Sequence, residues 1–446
     1  MTTTVAYPNE LATQRAAAGI KTPERLAELA GIEPSWYAHI EAGDILPTLD
    51  ELDRLREALG GIEPERLYVA GIARTIGGPK PAAPPDYAGF FTAFEDAGHL
   101  LVAREEVSWL DRNVRPDRTV DVFVNLSCGT QHSPHVLLDT VSVLEALGVS
   151  FAAGSGRLFC CGTYYRGAGE PEAAARMNDA SVGRAVAWGA KRMVHMCTQC
   201  QNTYGDIERR ERLLGRDRPA NQQMYTFLEQ TLRERGDRVP WRREVPAKVL
   251  VLGQAISPVH SEATETAARV LALVPGVQVV GLVDEEISNV AGMRNGVQIL
   301  ETAPLAPDEV ERRRTRLAEL FAERGADTMA AMHHTGQQWW SRFSSDRLAV
   351  RHPISILADA LGCAHPDRYQ AACRLGDPEA VLEQTRPNWR SWGLEEERAR
   401  RLAQGLFAPS YASGPSHCTC GGQGRCAADL ISLDALAGPA RAASHV

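Results

Sequence analysis

Cys128, Cys160, Cys161, Cys197 and Cys200 form the pattern C-x31-CC-x35-C-x2-C, which takes up half of the chain's 10 cysteines. Thiolates are soft donors that suit zinc and iron–sulfur clusters, and a tetrahedral metal needs only four of them. A fifth sulfur, with two of the set adjacent in sequence, points to an inorganic centre larger than one zinc ion. Small residues follow the cysteines, in Cys128-Gly129 and Cys161-Gly162-Thr163, so backbone amides can approach the sulfurs and donate to them. Two other readings of the same residues stay open. One is a set of buried apolar cysteines packed in a core; the other is a vicinal disulfide or redox dithiol pair without metal.

The elements that must bring these sulfurs together alternate strand and helix. Val120 to Leu126 reads as a strand, His135 to Leu147 as a helix, Val149-Ser150-Phe151 as the start of a strand, Glu170 to Ala190 as mostly helix, and Arg192 to Met196 as a short buried strand. That order predicts an α/β fold with a parallel sheet. Each cysteine or pair then falls where a strand ends, the edge at which open α/β sheets place ligands. The texture returns with strands at 249–252 and 277–281, helices at 260–273 and 308–324, and a closing strand at 328–332, which implies an internal duplication. Met196-Cys197-Thr198-Gln199-Cys200-Gln201 aligns with Met332-His333-His334-Thr335-Gly336-Gln337, and Gln254 falls near the place of Cys128. The second copy keeps the fold pattern and lacks the thiolates, so His333-His334 reads as a vestigial polar loop.

Ahead of this, residues 9 to 59 read as a helical bundle, with Leu11, Leu26, Leu29, Ile40, Leu49, Leu52, Leu55 and Leu59 at helical spacings. Thr22 caps a helix with Pro23 in its first turn, and Thr48 caps another. Gly77 to Pro85 is rich in Gly, Pro and Ala and reads as a linker. The expected domains are 1–72, a helical bundle; 73–118, linker and helical connector; 119–240, the cysteine domain; 241–370, its degenerate repeat; and 371–446, a C-terminal helical or flexible segment. No apolar run approaches the roughly 20 residues that span a bilayer, and no secretory signal is visible in the N-terminal residues, so a cytoplasmic location without a membrane is expected. Ten cysteines in a reducing compartment favour metal or redox chemistry over a disulfide scaffold. The net charge of -8 gives no general attraction to nucleic acid.

Phe159-Cys160-Cys161-Gly162 with Cys197-Thr198-Gln199-Cys200 resembles the cysteine-rich CCG domain of heterodisulfide reductases and related proteins, over roughly residues 119 to 370 with both copies. The resemblance implies that Cys128, Cys160, Cys161, Cys197 and Cys200 all ligate a noncubane [4Fe-4S] cluster, with zinc as the alternative metal. It also implies a redox partner or a small thiol or disulfide ligand. Having one complete copy departs from the two that members of that family often carry.

Ile20 to Leu59 resembles the helix-turn-helix of Cro-like phage repressors, through Leu26-Ala27-Glu28-Leu29-Ala30-Gly31-Ile32, Ile40-Glu41-Ala42-Gly43 and Pro47-Thr48-Leu49. The likeness implies that the helix from Glu33 to Glu41 enters the major groove, with Glu33, Ser35, Trp36, Tyr37 and His39 as DNA contacts and Ile32 and Ile40 facing the core. Residues 1 to 72 carry six Lys or Arg against twelve Asp or Glu, so phosphate attraction must be supplemented by dimerisation, base contacts or basic residues elsewhere such as Arg312-Arg313-Arg314 and Arg316. The two resemblances together imply a redox- or iron–sulfur-responsive transcriptional regulator that binds an operator as a homodimer. The competing expectation is a heterodisulfide-reductase-like oxidoreductase or electron-transfer protein whose bundle docks partners. His417, Cys418, Cys420 and Cys426 lie in a glycine-rich segment and are candidates for additional metal or redox residues. Cys363 and Cys373 read as buried structural residues, and Trp339-Trp340 as core or an interface anchor.

Overall fold

The computed structural model describes residues 7–68, 95, 98–108, 110, 117–163, 165, 171–253, 258–283, 307–341, 344 and 348–406. The expected linker at 77–85, Gln254 and the C-terminal His417, Cys418, Cys420 and Cys426 lie outside the described residues.

Four helices form the N-terminal bundle: α1 (Leu11–Ala17), α2 (Pro23–Leu29), α3 (Pro34–Glu41) and α4 (Leu49–Ala58). Their starts are written in the sequence. Thr22 accepts a hydrogen bond from Arg25 N ahead of Pro23, and Thr48 and Glu51 cap α4 reciprocally, each bonding the other's backbone N–H. Gly31, at a φ of 60°, makes the left-handed turn from α2 to α3. Leu11, Leu26, Ile32, Tyr37, Ile40, Leu52 and Leu55 form the core of the bundle, Ile32 and Ile40 among them as expected. Leu29 is 48% exposed and outside that core.

Two four-stranded sheets follow, in the orders β2-β1-β3-β4 and β6-β5-β7-β8, and every pairing is parallel. The first runs through β1 (Val122–Asn125), α5 (Pro134–Ala146), β2 (Phe151–Gly154), α6 (Pro171–Ala187), β3 (Arg192–His195), α7 (Thr198–Leu213), β4 (Ala220–Gln223) and α8 (Met224–Arg235). The second runs through β5 (Ala247–Leu252), α9 (Pro258–Leu271), β6 (Val277–Val283), α10 (Pro307–Arg324), β7 (Thr328–Ala331), α11 (His334–Ser341), β8 (Ala349–Arg351) and α12 (Pro353–Ala360). The same strand order twice matches the expected duplication. The repeats share one core, because α5 packs on α12 and α8 on α9, burying Val136, Leu144, Leu228, Ala267, Ile354 and Leu357 together. α10 is not a wholly solvated basic face, since Arg313 is only 1% exposed.

A helical cap closes the described chain: α13 (Arg368–Leu375), α14 (Pro378–Gln384), α15 (Arg386–Ser391) and α16 (Glu396–Leu406). Leu100 and Leu101 from the connector enter its core beside Trp389 and Ala399. Arg368 holds Glu106 in two 2.7 Å bonds. Connector and C-terminal helices therefore pack as one unit, although far apart in sequence. Cys363 and Cys373 are half-buried at the rims of two cores, less enclosed than expected, whereas Trp340 is a core residue at 1% exposure. Among the described residues no helix is long and apolar enough to cross a membrane.

Burial, then the nearby His333, lowers the His260 pKa to about 3. Burial likewise holds His352 well below its ordinary value, and its neutral Nδ1 accepts from Ile354 N at the start of α12. Both imidazoles are neutral when folded and take up protons near pH 6.5 when the chain unfolds. The stability they contribute is complete above that pH and is lost as pH falls toward the folded values, by about 1.4 kcal/mol per unit for each. Urea midpoints should drop between pH 7 and pH 5, and His260→Gln should flatten the slope.

Candidate metal centre

The registers Asn125↔Gly154, Asn125↔His195 and His195↔Gln223 put the carboxyl ends of β1, β2, β3 and β4 in one row. The order β2-β1-β3 reverses the winding direction between β1 and β3, so the loops leaving these strands diverge over a crevice. Cys128 follows β1, the Cys160-Cys161 pair follows β2, and Cys197 and Cys200 follow β3. One residue ties two of the loops: Asn125 Nδ2 donates to Phe159 O at 3.0 Å, and its Oδ1 accepts from Ser127 N at 2.9 Å. Ser127 is held at a φ of 72°, a left-handed conformation unusual for a residue with a side chain. Ser155 Oγ braces it further, donating to Ser127 O at 2.6 Å. Tyr204, on α7, donates to Cys160 O at 2.9 Å, fastening the second loop to the helix that carries Cys200.

All five predicted cysteines come together. They are 7%, 0%, 5%, 7% and 2% exposed in sequence order, and none is in a disulfide. Side-chain contacts run in a chain from Cys128 to Cys160, Cys161, Cys200 and Cys197. Contacts with Cys128 and Cys161, and then burial, push the Cys160 thiol well up. Contacts with Cys161 and Cys197, and then burial, do the same to Cys200. Hydrogen bonds from Cys160 and Cys200 hold Cys161 well below the usual thiol range, with Thr163 assisting. A bond from Cys200, followed by His333, lowers Cys197. From Cys160 to Cys197, raised thiols thus alternate with lowered ones. Cys197 also stands at the N-cap position of α7, a helix of 16 residues, whose positive end favours a thiolate.

The donor set fits a thiolate-ligated group. Metal binding replaces thiol protons, and here neighbouring thiols share theirs in a buried pocket. Gly162 N donates to Cys160 Sγ at 3.4 Å, the amide-to-sulfur contact that such centres require. Thr198 Oγ1 and Gln201 Oε1, in the first turn of α7, are buried without a hydrogen-bond partner among the described residues. Among those residues no three His, Cys, Asp or Glu side chains make a preformed cage for a single ion. A cavity of about 240 Å³ adjoins the loops, bounded by Gln131, Ser155, Gly156 and Phe159 on one side and by Val102 and Trp392 of the cap on the other.

The second repeat supplies residues that the sequence pattern did not assign to the site. His333 Nε2 lies 3.7 Å from Cys197 Sγ. His334 Nε2 lies 2.5 Å from where a Cβ on Gly129 would be. Ser133 Oγ donates to Gln337 Oε1 at 3.2 Å. The His333-His334 pair is therefore packed into the cysteine loops, which corrects its reading as a vestigial polar loop. The signal was its alignment with Cys197-Thr198.

The predicted DNA contacts fare unevenly. Glu33 and Ser35 are exposed at the start of α3, where Glu33 caps the helix by accepting from Trp36 N at 2.9 Å and from Ser35 Oγ. His39 is half-buried and pairs with Asp44 at 2.9 Å. Trp36 Nε1 donates to Glu51 at 3.1 Å, and its ring lies beneath the Arg210 guanidinium. Tyr37 is 0% exposed in the core of the bundle, which removes it from the contact surface. The run from Glu33 to Ile40 hides this, because the first exposed turn of a short helix and its buried side are only one residue apart.

Gly162 has a φ of 73°, and an added Cβ would meet Ala174 Cα at 2.9 Å. Gly162→Ala should therefore destabilise the cysteine domain by roughly 1–3 kcal/mol. It should also speed reaction of the five thiols with a colorimetric thiol reagent, which is slow while they are buried.

Two protein-family models match the chain. One described as a helix-turn-helix domain covers residues 9–67, and one described as a cysteine-rich domain covers residues 122–204. No curated protein and no solved structure matches. The chain thus joins a helix-turn-helix domain to a cysteine-rich domain of α/β fold, and the second sheet extends beyond both matches.

Proposed function

We propose that this protein is a cytoplasmic, redox-responsive DNA-binding regulator in which Cys128, Cys160, Cys161, Cys197 and Cys200 hold an iron–sulfur centre, [4Fe-4S] in composition. One observation carries the reading: the helix that starts on the cysteines ends on the helix-turn-helix. Cys197 stands at the N-cap position of α7 and Cys200 lies in its first turn. Roughly 9 Å beyond Cys200 along the same helix, Asp206 Oδ1 accepts from Leu46 N at 3.0 Å. Arg210 donates to Leu46 O and pairs with Glu51 at 3.4 Å. Arg209 donates to Tyr7 Oη at 2.6 Å, and that hydroxyl donates to Asn202 O at 3.1 Å. Arg210 stacks on Trp36, within the recognition helix.

Bound there, the centre would supply one-electron redox chemistry. The protein's part is mechanical. Cys197 and Cys200 fix the amino end of α7, and a change in what their sulfurs ligate displaces that turn. A rigid helix passes the displacement to Asp206 and Arg210 and so to α3. A ten-fold change in DNA affinity needs only about 1.4 kcal/mol, and one charge-assisted hydrogen bond is worth about 1.5–3 kcal/mol. Losing one contact of Arg210 is enough. A homodimer on a two-fold operator completes the reading, with half-sites about one helical turn apart.

A second reading, a heterodisulfide-reductase-like oxidoreductase acting on a small disulfide, is favoured by the cavity beside Phe159. Disulfide turnover that survives deletion of residues 1–72 would support it.

Protein purified without oxygen should contain iron and acid-labile sulfide and absorb visible light. Cys160→Ser should abolish both and change affinity, by fluorescence anisotropy, for a duplex selected by the protein from a random pool. Unchanged affinity would refute the coupling. Arg210→Ala should keep the iron and give the same DNA affinity with and without it, where the native protein shows a difference of ten-fold or more.

A further inference from the structure

The duplication places His333 where the first repeat has Cys197. β7 ends at Ala331 as β3 ends at His195, and Met332 N donates to Leu252 O at 2.9 Å as Met196 N donates to Asn125 O at 3.0 Å. The equivalent residues of the two repeats then meet, with His333 Nε2 3.7 Å from Cys197 Sγ. This contact is built into the fold. His333 is 9% and His334 5% exposed, and their rings lie 4.0 Å apart. His334 occupies the space over Gly129, beside Cys128. The two imidazoles thus stand side by side, His333 against the Cys197 sulfur and His334 over Gly129, the residue after Cys128. The second repeat has His333-His334 where the first has Cys197-Thr198, and it covers the first repeat's site.

We propose that His333 is a positioning residue of the cysteine centre, donating its Nε2–H to the Cys197 sulfur and so setting the reduction potential of the group bound there. The inference rests on the iron–sulfur reading above. A donor aimed at a ligating thiolate draws off negative charge and favours the electron-rich state, so the bond raises the potential. It also makes that potential depend on the packing of the repeats. Because His333 would act through Cys197 and not as a ligand, its removal should alter the electronics of the centre without emptying it.

The test uses full-length protein loaded with iron and sulfide without oxygen, as the native chain, His333→Ala and His333→Gln. Iron content, the visible spectrum and the midpoint potential are measured for each, with circular dichroism to confirm the fold. All three should bind the same iron. The alanine variant should titrate at a more negative potential with a shifted charge-transfer band, and glutamine, which keeps an N–H donor, should recover part of the shift. An alanine variant that is folded and loaded at the native potential overturns the proposal. Loss of iron in the folded alanine variant also overturns it, by making His333 a ligand. Native protein that takes up no iron refutes the iron–sulfur reading itself, and the two failures are distinguished by that control.

Discussion

A helix cannot shift its first turn and leave its last turn in place, and α7 has both ends committed. Its amino end has Cys197 at the N-cap position and contains Cys200, while its later turns carry Asp206, Arg209 and Arg210 into hydrogen bonds with Leu46 and Tyr7. Between them, Tyr204 binds the carbonyl of Cys160 and stacks on His195 at the end of β3. The helix is thus registered against the sulfurs by the loops after β2 and β3 and against the helix-turn-helix by charged groups. Sulfur chemistry on its own would need no such connection. A helix-turn-helix on its own would not offer the Trp36 ring of α3 to an arginine of another domain.

The duplication explains why the site is enclosed. One open parallel sheet leaves the crevice at its carboxyl edge facing water. Here the second sheet is turned so that α5 meets α12 and α8 meets α9, and the loop after β7 covers the loop after β3. Five thiols buried in this way would be expensive to charge individually. From Cys160 to Cys197 raised thiols stand beside lowered ones, so each lowered sulfur accepts a hydrogen bond from a neighbour that keeps its proton. A site of this kind favours replacement of those protons by a multiply charged group.

Much of this is legible in the sequence, for reasons that differ by element. Val122 to Asn125 and Arg192 to His195 are short apolar runs at the middle of a sheet, so the burial of both faces shows in composition. β4, Ala-Asn-Gln-Gln, and β8, Ala-Val-Arg, lie on sheet edges and carry no apolar signature, so nothing in their composition reveals them. The five cysteines stand out because their spacing is specific. The alignment of His333-His334 with Cys197-Thr198 locates the pair in the fold but not its role, because a lost thiolate says nothing about which surface the replacement faces. The union of the connector with the C-terminal helices depends on contacts such as Arg368 with Glu106, between segments too distant for any periodicity to relate.

The charge of the helix-turn-helix follows from the same architecture. Six basic against twelve acidic side chains in residues 1 to 72 is a poor endowment for phosphate binding, but it suits a surface that receives Arg209 and Arg210. The internal contact and the DNA backbone demand opposite charge from one small domain. Under the proposed regulator reading, that balance would leave DNA recognition to rest on base edges. Glu33 and Ser35 stay exposed at the amino end of α3, and in that reading a carboxylate there would accept from the amino group of cytosine in the major groove, where a phosphate would repel it. For the proposed homodimer, weak backbone attraction would make the second half-site matter more. In that proposal a modest reorientation of α3 would decide whether both half-sites are engaged, which is the regime in which a contact worth one hydrogen bond can control occupancy.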